Sequence, residues 1–461
     1  MIILKGNKKN IPSQSVFGKG NGMELHTFIT QAPVSRAILT MAVPTIVSML
    51  VTCLYTIVDT YFVGRLNTQS TAAVGIVFSL MCLIQAIGSF FGHGSGSYMS
   101  RELGARRHVT AAAMAATGFV YALFAGVVIC VAGYLFLRPL SLLLGSTISV
   151  LPFTERYMSI ILLGTPFQII SFTLNSQLRM QGNTHYAMLG ILSGVVLNIA
   201  LDPLLIFGCS MGLSGAAWAT VVGQAVSAVI LFIMCNRKGN VSIRLSSFSW
   251  RWMFVKEIVY GGSPSLSRQG LACISVILLN LAAAPYGAAA IAAMSIVSRV
   301  TMFVMSVIVG LGQGFQPFCG YCYGAELYDR LRQGFWFTVR TGFLFLVAVS
   351  AVVFCYAEQT IALFRDDAIV IAVGSTALRW QLAAYPLNAY IMAGNMMLQT
   401  TRRPLRANVL SSARRGLVFI PFIIILPKLF GLMGVAMCQA VSDVVTFIIA
   451  IPIVRSAFKE M

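Results

Sequence analysis

The chain has 461 residues, 58% of them hydrophobic and only 10% charged, with a net charge of +19. Soluble proteins carry about 25% charged residues, so a water-soluble fold is excluded. The excess Lys and Arg fall between long apolar runs, which makes them a topology signal and removes the nucleic-acid reading of a basic chain.

A β-barrel would alternate apolar and polar residues in segments of about ten, and that pattern is absent. A helical span needs about 20 apolar residues. Twelve such stretches follow one another, at 37–65, 72–100, 110–136, 156–179, 185–208, 213–235, 258–283, 290–320, 334–357, 372–399, 405–427 and 431–455. The expected fold class is an all-α polytopic membrane protein with twelve transmembrane helices in two pseudo-symmetric six-helix bundles. Residues 1–36 are polar and basic, carry no apolar core of a cleavable signal, and read as a flexible cytoplasmic tail. The first span holds Pro44 and, near its far end, Asp59. The longest polar connection, 236–257, separates an N-lobe (37–235) from a C-lobe (258–461). One side of the membrane collects Arg36, Arg101, Arg106, Arg107, Arg237, Lys238, Arg330, Arg402, Arg403 and Arg455, whereas the other holds Arg65, Arg138, Arg156, Arg365 and Lys428. The richer side is expected to be cytoplasmic, with both termini there, as an even number of spans requires.

The halves repeat. A constant shift of 220 superposes Pro44 on Pro264, Cys53 on Cys273, Ile76-Val77 on Ile296-Val297, Gly94 on Gly314, Gly104-Ala105 on Gly324-Ala325 and Pro166 on Pro386. A shift of 219 then places Gly212-Leu213 on Gly431-Leu432. Six spans per repeat keep both halves in one orientation, an arrangement typical of secondary transporters that bind between lobes.

Carboxylates inside spans are costly and point to function. They are Asp59, Asp202 and Asp443. Asp59 and Asp202 lie on the first and fifth spans, which run in the same direction. Each precedes its helix end by six residues, roughly 9 Å, so the two share a depth and a lobe. Asn198, four residues before Asp202, shares its helix face, and Pro203 frees a carbonyl one turn earlier. Such a set of oxygens can exchange a proton or hold Na⁺. The repeat shift puts Leu279 and Phe422 at the corresponding C-lobe positions, so a cation site is expected in the N-lobe alone. Arg299, Asp443 and Gln224 are candidates for a substrate pathway, and Arg268 is a second intramembrane cation. Pro44 and Pro264 are candidate helix-bending positions. Met (22) and Phe (30) suit a cavity for lipophilic cations.

The ten cysteines are scattered, and Cys319/Cys322 lack the context of a redox or metal motif. His26, His93, His108 and His185 form no catalytic constellation, and no Walker A or HExxH motif is present. The chain is therefore expected to be no enzyme and to need no cofactor beyond a coupling ion.

Val58–Leu66 (VDTYFVGRL), Leu178–Thr184 (LRMQGNT), Leu197–Gly208 (LNIALDPLLIFG), Gly212–Gln224 (GLSGAAWATVVGQ) and Gly310–Ala325 (GLGQGFQPFCGYCYGA) resemble multidrug and toxic compound extrusion (MATE) transporters of the bacterial branch. The resemblance covers nearly the whole chain. It implies alternating access and H⁺- or Na⁺-coupled export of cationic drugs, with Asp59, Asn198 and Asp202 at the cation site. Cys322 departs from the family pattern, where many bacterial members carry Asn. The expectation is a monomeric multidrug antiporter of the bacterial inner membrane, with membrane lipids and cationic drugs as its partners. The alternative is a flippase for a lipid-linked or polysaccharide precursor.

Overall fold

In the computed structural model, which describes residues 22–461, the apolar sequence is helical because lipid offers the backbone N–H and C=O groups no partner but each other. The first half comprises α1 (Gly22–Gln31), α2 (Val34–Gly64), α3 (Thr68–Gly104), α4 (His108–Leu135), α5 (Leu137–Leu143), α6 (Leu151–Met180), α7 (Thr184–Pro203) and α8 (Leu213–Cys235). The second comprises α9 (Trp252–Ala283), α10 (Ala288–Gly324), α11 (Tyr328–Cys355), α12 (Ala357–Ala362), α13 (Ala368–Ala384), α14 (Asn388–Thr400), α15 (Pro404–Ser412), α16 (Phe419–Phe430) and α17 (Leu432–Lys459). Twelve helical stretches among the described residues are long and apolar enough to cross a membrane.

The repeat governs geometry as well as sequence. Helices α3 and α10 both have 37 residues and start 220 positions apart, at 68 and 288. Helices α4 and α11 both have 28 residues and start at 108 and 328. Left-handed backbone recurs at matched turns: Arg106 with Glu326, Gly182 with Arg402, and Gly212 with Gly431. The sixth helix breaks the match. It runs unbroken through Pro166, whereas its counterpart divides into α13 and α14 around a 3-10 turn containing Pro386. The short helices α5 and α12 escape a 20-residue apolar filter because neither is long enough to span.

Two boundaries differ from the sequence reading. Residues 22–31, expected within a flexible tail, form α1. There, Ile29 is fully buried, His26 Nε2 lies 3.0 Å from the Gly104 carbonyl oxygen, and Arg330 donates to the carbonyls of Ile29 and Ala32. Residues 1–21 lie outside the described residues. Helix α9 begins at Trp252, so Glu257 belongs to a helix and not to the linker.

The lobes meet along the arginine-rich face. There α2 packs on α10 and α3 on α9, with glycine at the points of closest approach. A side chain on Gly314 would meet the backbone of Ala42. One on Gly94 would meet Ile258, and one on Gly324 would meet Arg101. Only glycine allows two helix backbones to approach so closely. Gln269 donates to Ser89 Oγ at 3.1 Å near the middle of the interface. Nearer the opposite face, Gly75 on α3 and Gly270 on α9 meet nothing within 4 Å.

Candidate functional site

Helix α2 brings Asp59 to the open face, one turn beyond Tyr55. Along the same stripe, Ser48, Thr52 and Thr56 each donate to the carbonyl four residues earlier, at 2.9, 2.8 and 3.1 Å. Such back-bonding loosens a helix, and Pro44 removes one backbone donor below it. The helix nevertheless runs continuously through Pro44, and α9 likewise runs through the buried Pro264. Helix α7 ends on Asp202-Pro203 and gives way to a π-turn over Leu204–Gly208. A missing N–H at Pro203 leaves the ordinary α register unsupported at that point, which suits a π-turn.

Asp59, Asn198 and Asp202 come together as the sequence predicts. Asp202 has no exposed surface and Asn198 is 3% exposed. Asp202 is close enough to Asp59 for the two charges to interact. Asn198 Nδ2 reaches Thr220 Oγ1 at 3.4 Å, which leaves its carbonyl oxygen without a partner. Thr220 also lies within hydrogen-bonding reach of the hydroxyls of Tyr55 and Tyr157. Four buried oxygens here have no hydrogen-bond partner: Asp59 Oδ1, Asn198 Oδ1, and Asp202 Oδ1 and Oδ2. An orphaned buried polar atom costs about 1–3 kcal/mol, more when charged, so the pocket is unsatisfied by protein alone. Its donors are oxygens only, which fits a proton or a hard cation. Among the described residues, no group of three or more His, Cys, Asp or Glu side chains could hold a metal ion. A cation entering here would meet the two acids, with Asn198 supplying a neutral oxygen.

The C-lobe counterpart is filled with hydrocarbon. Leu279 is 7% exposed in an apolar cluster, and Phe422 packs against it. Sequence reasoning missed Tyr55, Tyr157 and Thr220. Only Tyr55 carried a signal, since it precedes Asp59 by one helical turn.

The substrate-pathway candidates do not gather at one place. Asp443 is fully buried in α17, where Arg414 Nε donates to Oδ1 at 2.8 Å, Gln439 to Oδ1 at 2.9 Å and Asn388 to Oδ2 at 2.8 Å. Its oxygens are filled, so it offers no free acceptor to a substrate. Gln224 packs on Gly164 where α8 meets α6, and Arg299 is exposed on α10. Arg268 donates to Asn395 Oδ1 at 3.0 Å. The buried pair Arg414–Asp443 predicts its own test. Arg414→Ala should lower stability by about 3–5 kcal/mol, because it strands a buried carboxylate. Thermal unfolding in detergent should show the loss, and Arg414→Ala/Asp443→Asn should recover part of it. Equal unfolding of the single and double variants would contradict the pair.

A second polar cluster lies between the lobes on the arginine-rich face. Glu257 of α9 is 3% exposed. Arg101 of α3 donates to its Oε2 at 2.6 Å, and Arg402 reaches Oε1 at 2.7 Å. Arg101 also donates to the Thr400 carbonyl at 2.8 Å. Deeper in the same interface, Arg179 of α6 donates to Gln313 Oε1 of α10 at 2.8 Å and bonds His93 Nε2 at 3.0 Å. Glu257 was missed because the linker appeared to extend over it. Its arginine partners were read only as topology markers.

Two repeated helical lobes, packed together at the arginine-rich face, with an oxygen pocket in one lobe, define a membrane-transporter architecture. The MatE family profile matches residues 44–204 and 264–425, one segment in each lobe, and the chain belongs to that family. It is 27% identical over 429 residues to multidrug export protein MepA of Staphylococcus saprophyticus, covering 93% of this chain and 95% of that protein. Against MepA of Staphylococcus aureus it is 28% identical over 412 residues, covering 88% and 90%. Among solved structures, it resembles an outward-facing multidrug resistance MATE family transporter of the MOP superfamily. The TM-score is 0.89 at 26% identity, over 96% of this chain and all of that one. These relatives are membrane transporters.

Proposed function

We propose that the protein is a secondary active multidrug exporter that exchanges a cationic or lipophilic drug for H⁺ or Na⁺ entering at Asp59, Asn198 and Asp202. The four partnerless buried oxygens of this pocket, confined to one lobe, carry the reading. The names of the MepA relatives support drug export, and the basic excess on the sealed face supports a cytoplasmic placement for it. In the outward-open form, the ion fills the pocket and neutralises the acids. Helix α2, weakened at Pro44 and along its Ser/Thr stripe, then changes shape and the drug leaves. The lobes part at the Glu257 end, the ion departs to the cytoplasm and a new drug enters. The chain acts as a monomer, since every residue of the site comes from one lobe.

Ethidium efflux in everted vesicles, under separately imposed pH and Na⁺ gradients, tests this. One gradient should drive accumulation and the other should not. Failure of both to move any cationic dye would sink the reading. A lipid-linked anion is the second reading. It is favoured by Arg179, whose buried Nε has no partner and which lies close enough to Arg268 to repel it.

A further inference from the structure

A groove of about 850 Å³ runs along the outer surface of the C-lobe between α11, α14 and α17, away from the pocket and the inter-lobe cleft. Its wall is aromatic: Trp336 and Tyr390 have ring centroids 6.2 Å apart, and Tyr390 and Phe447 5.5 Å apart. Its mouth is basic. Arg332 in the second turn of α11 and Arg455 and Lys459 at the end of α17 line it and are exposed. None of the three has an acidic partner within ion-pair distance among the described residues, although Glu460 beside them pairs with Arg403 and Arg406. From Arg455 to Phe447 the groove extends about 12 Å along α17, from the arginine-rich face towards the middle of the membrane.

The repeat supplies an internal control. Arg332, Trp336 and Tyr390 correspond to Ala112, Ala116 and Ile170, at a shift of 220. Phe447, Arg455 and Lys459 correspond to Ala228, Asn236 and Asn240, at a shift of 219. None of these six positions is charged or aromatic in the N-lobe copy, whose own aromatic pair, Phe119 and Phe232 at 5.6 Å, stands instead where the groove has Val339 and Ile451. On that lobe the linker packs down instead: Phe248 and Trp250 meet Tyr121 edge-on at 6.1 and 5.8 Å, and the Ser249 N–H reaches Thr117 Oγ1 at 3.4 Å. Shared architecture therefore does not account for the groove's chemistry. An apolar trough within the hydrocarbon layer, ending in three cations without an acidic partner at the headgroup level, one of them (Arg332) held over the Phe458 ring at 5.7 Å, matches an acyl chain joined to an anionic headgroup.

We propose that this groove is a binding site for an anionic phospholipid, with the phosphate at Arg332, Arg455 and Lys459 and an acyl chain along Trp336, Tyr390 and Phe447. The site is independent of which ion or drug the carrier moves.

The full-length protein, delipidated in neutral detergent, would be titrated with phosphatidylglycerol, phosphatidylcholine or glycerol 3-phosphate, and bound lipid counted by native mass spectrometry. Phosphatidylglycerol should bind in preference to phosphatidylcholine, and glycerol 3-phosphate should neither bind nor compete. Arg332→Ala/Arg455→Ala/Lys459→Gln should weaken phosphatidylglycerol by about tenfold or more. Arg237→Ala/Lys238→Gln/Arg244→Ala, an equal charge loss beside the N-lobe, should leave it unchanged. Arg332→Lys/Arg455→Lys should retain it, which guards against misfolding of the alanine variant. Equal loss in both triple variants, equal binding of phosphatidylcholine, or competition by glycerol 3-phosphate would each overturn the proposal.

Discussion

Asp202→Asn should abolish gradient-driven efflux while leaving the protein at least as stable as the parent. The carboxylate is fully buried, and neither oxygen has a partner. Folding gains nothing from such a charge, so its neutral isostere relieves a penalty and the unfolding midpoint should hold or rise. Coupling, by contrast, requires a site that can be neutralised by an ion. An amide cannot take up the proton and offers a cation one dipole in place of a charge. Losing one charged ligand should weaken cation binding by about 10- to 100-fold, from the ~1.5–3 kcal/mol of a charge-assisted interaction. Asp59→Asn should act in the same direction. Its effect on top of Asp202→Asn should be far less than additive, because both acids serve one ion. Leu279→Asp, at the C-lobe counterpart, should instead destabilise by placing an acid in hydrocarbon. Vesicle transport, read alongside thermal unfolding, separates these outcomes. An Asp202→Asn variant that still couples efflux to the same gradient would remove the pocket from the mechanism.

The architecture was legible because it rests on signals with a long reach. Twelve apolar runs set the spans, and prolines and glycines at a fixed shift set the repeat. The matched lengths of α3 and α10, and the matched left-handed residues Arg106 and Glu326, are that shift expressed as backbone. The acid pocket was legible because a charge in a span is rare, so depth and helix direction sufficed to pair Asp59 with Asp202. Partners from other helices were not. Thr220 and Tyr157 are ordinary residues of α8 and α6, and only packing brings them to Asn198. Asp443 shows the limit of counting charges, since Arg414, which occupies it, lies on another span beside Arg415, and nothing in the spacing says which of the two meets the acid. Glu257 shows another. The residues around it are polar enough to pass for a loop, and a boundary error of six residues hid an acid that joins the lobes.

Glu257→Gln should release the sealed face. Glu257 accepts from Arg101 of the opposite lobe and from Arg402, and the substitution leaves both arginines without a counter-charge. Arg402 is 58% exposed and water will screen it, so its share is small. Arg101 is buried but keeps its bond to the Thr400 carbonyl, and losing its charged acceptor costs the closed arrangement about 2–3 kcal/mol. That energy moves a two-state equilibrium by about 30- to 150-fold towards the form parted at this face. Spin labels at Val109 and Asp329, repeat partners at the starts of α4 and α11, would read it as a longer inter-lobe distance in a cysteine-free background. Both sites are exposed, so labelling should not disturb packing. Glu257→Asp should lie between the two forms, because it keeps the charge on a shorter arm. The drug-binding side should respond in kind. A carrier released at the sealed face spends less time with its acid pocket open to the outside, so the external cation needed for half-maximal efflux should rise. An unchanged distance distribution, with stability lowered as for any buried ion pair, would make Glu257 a packing residue and leave the Gly94, Gly314 and Gly324 contacts to hold the lobes together.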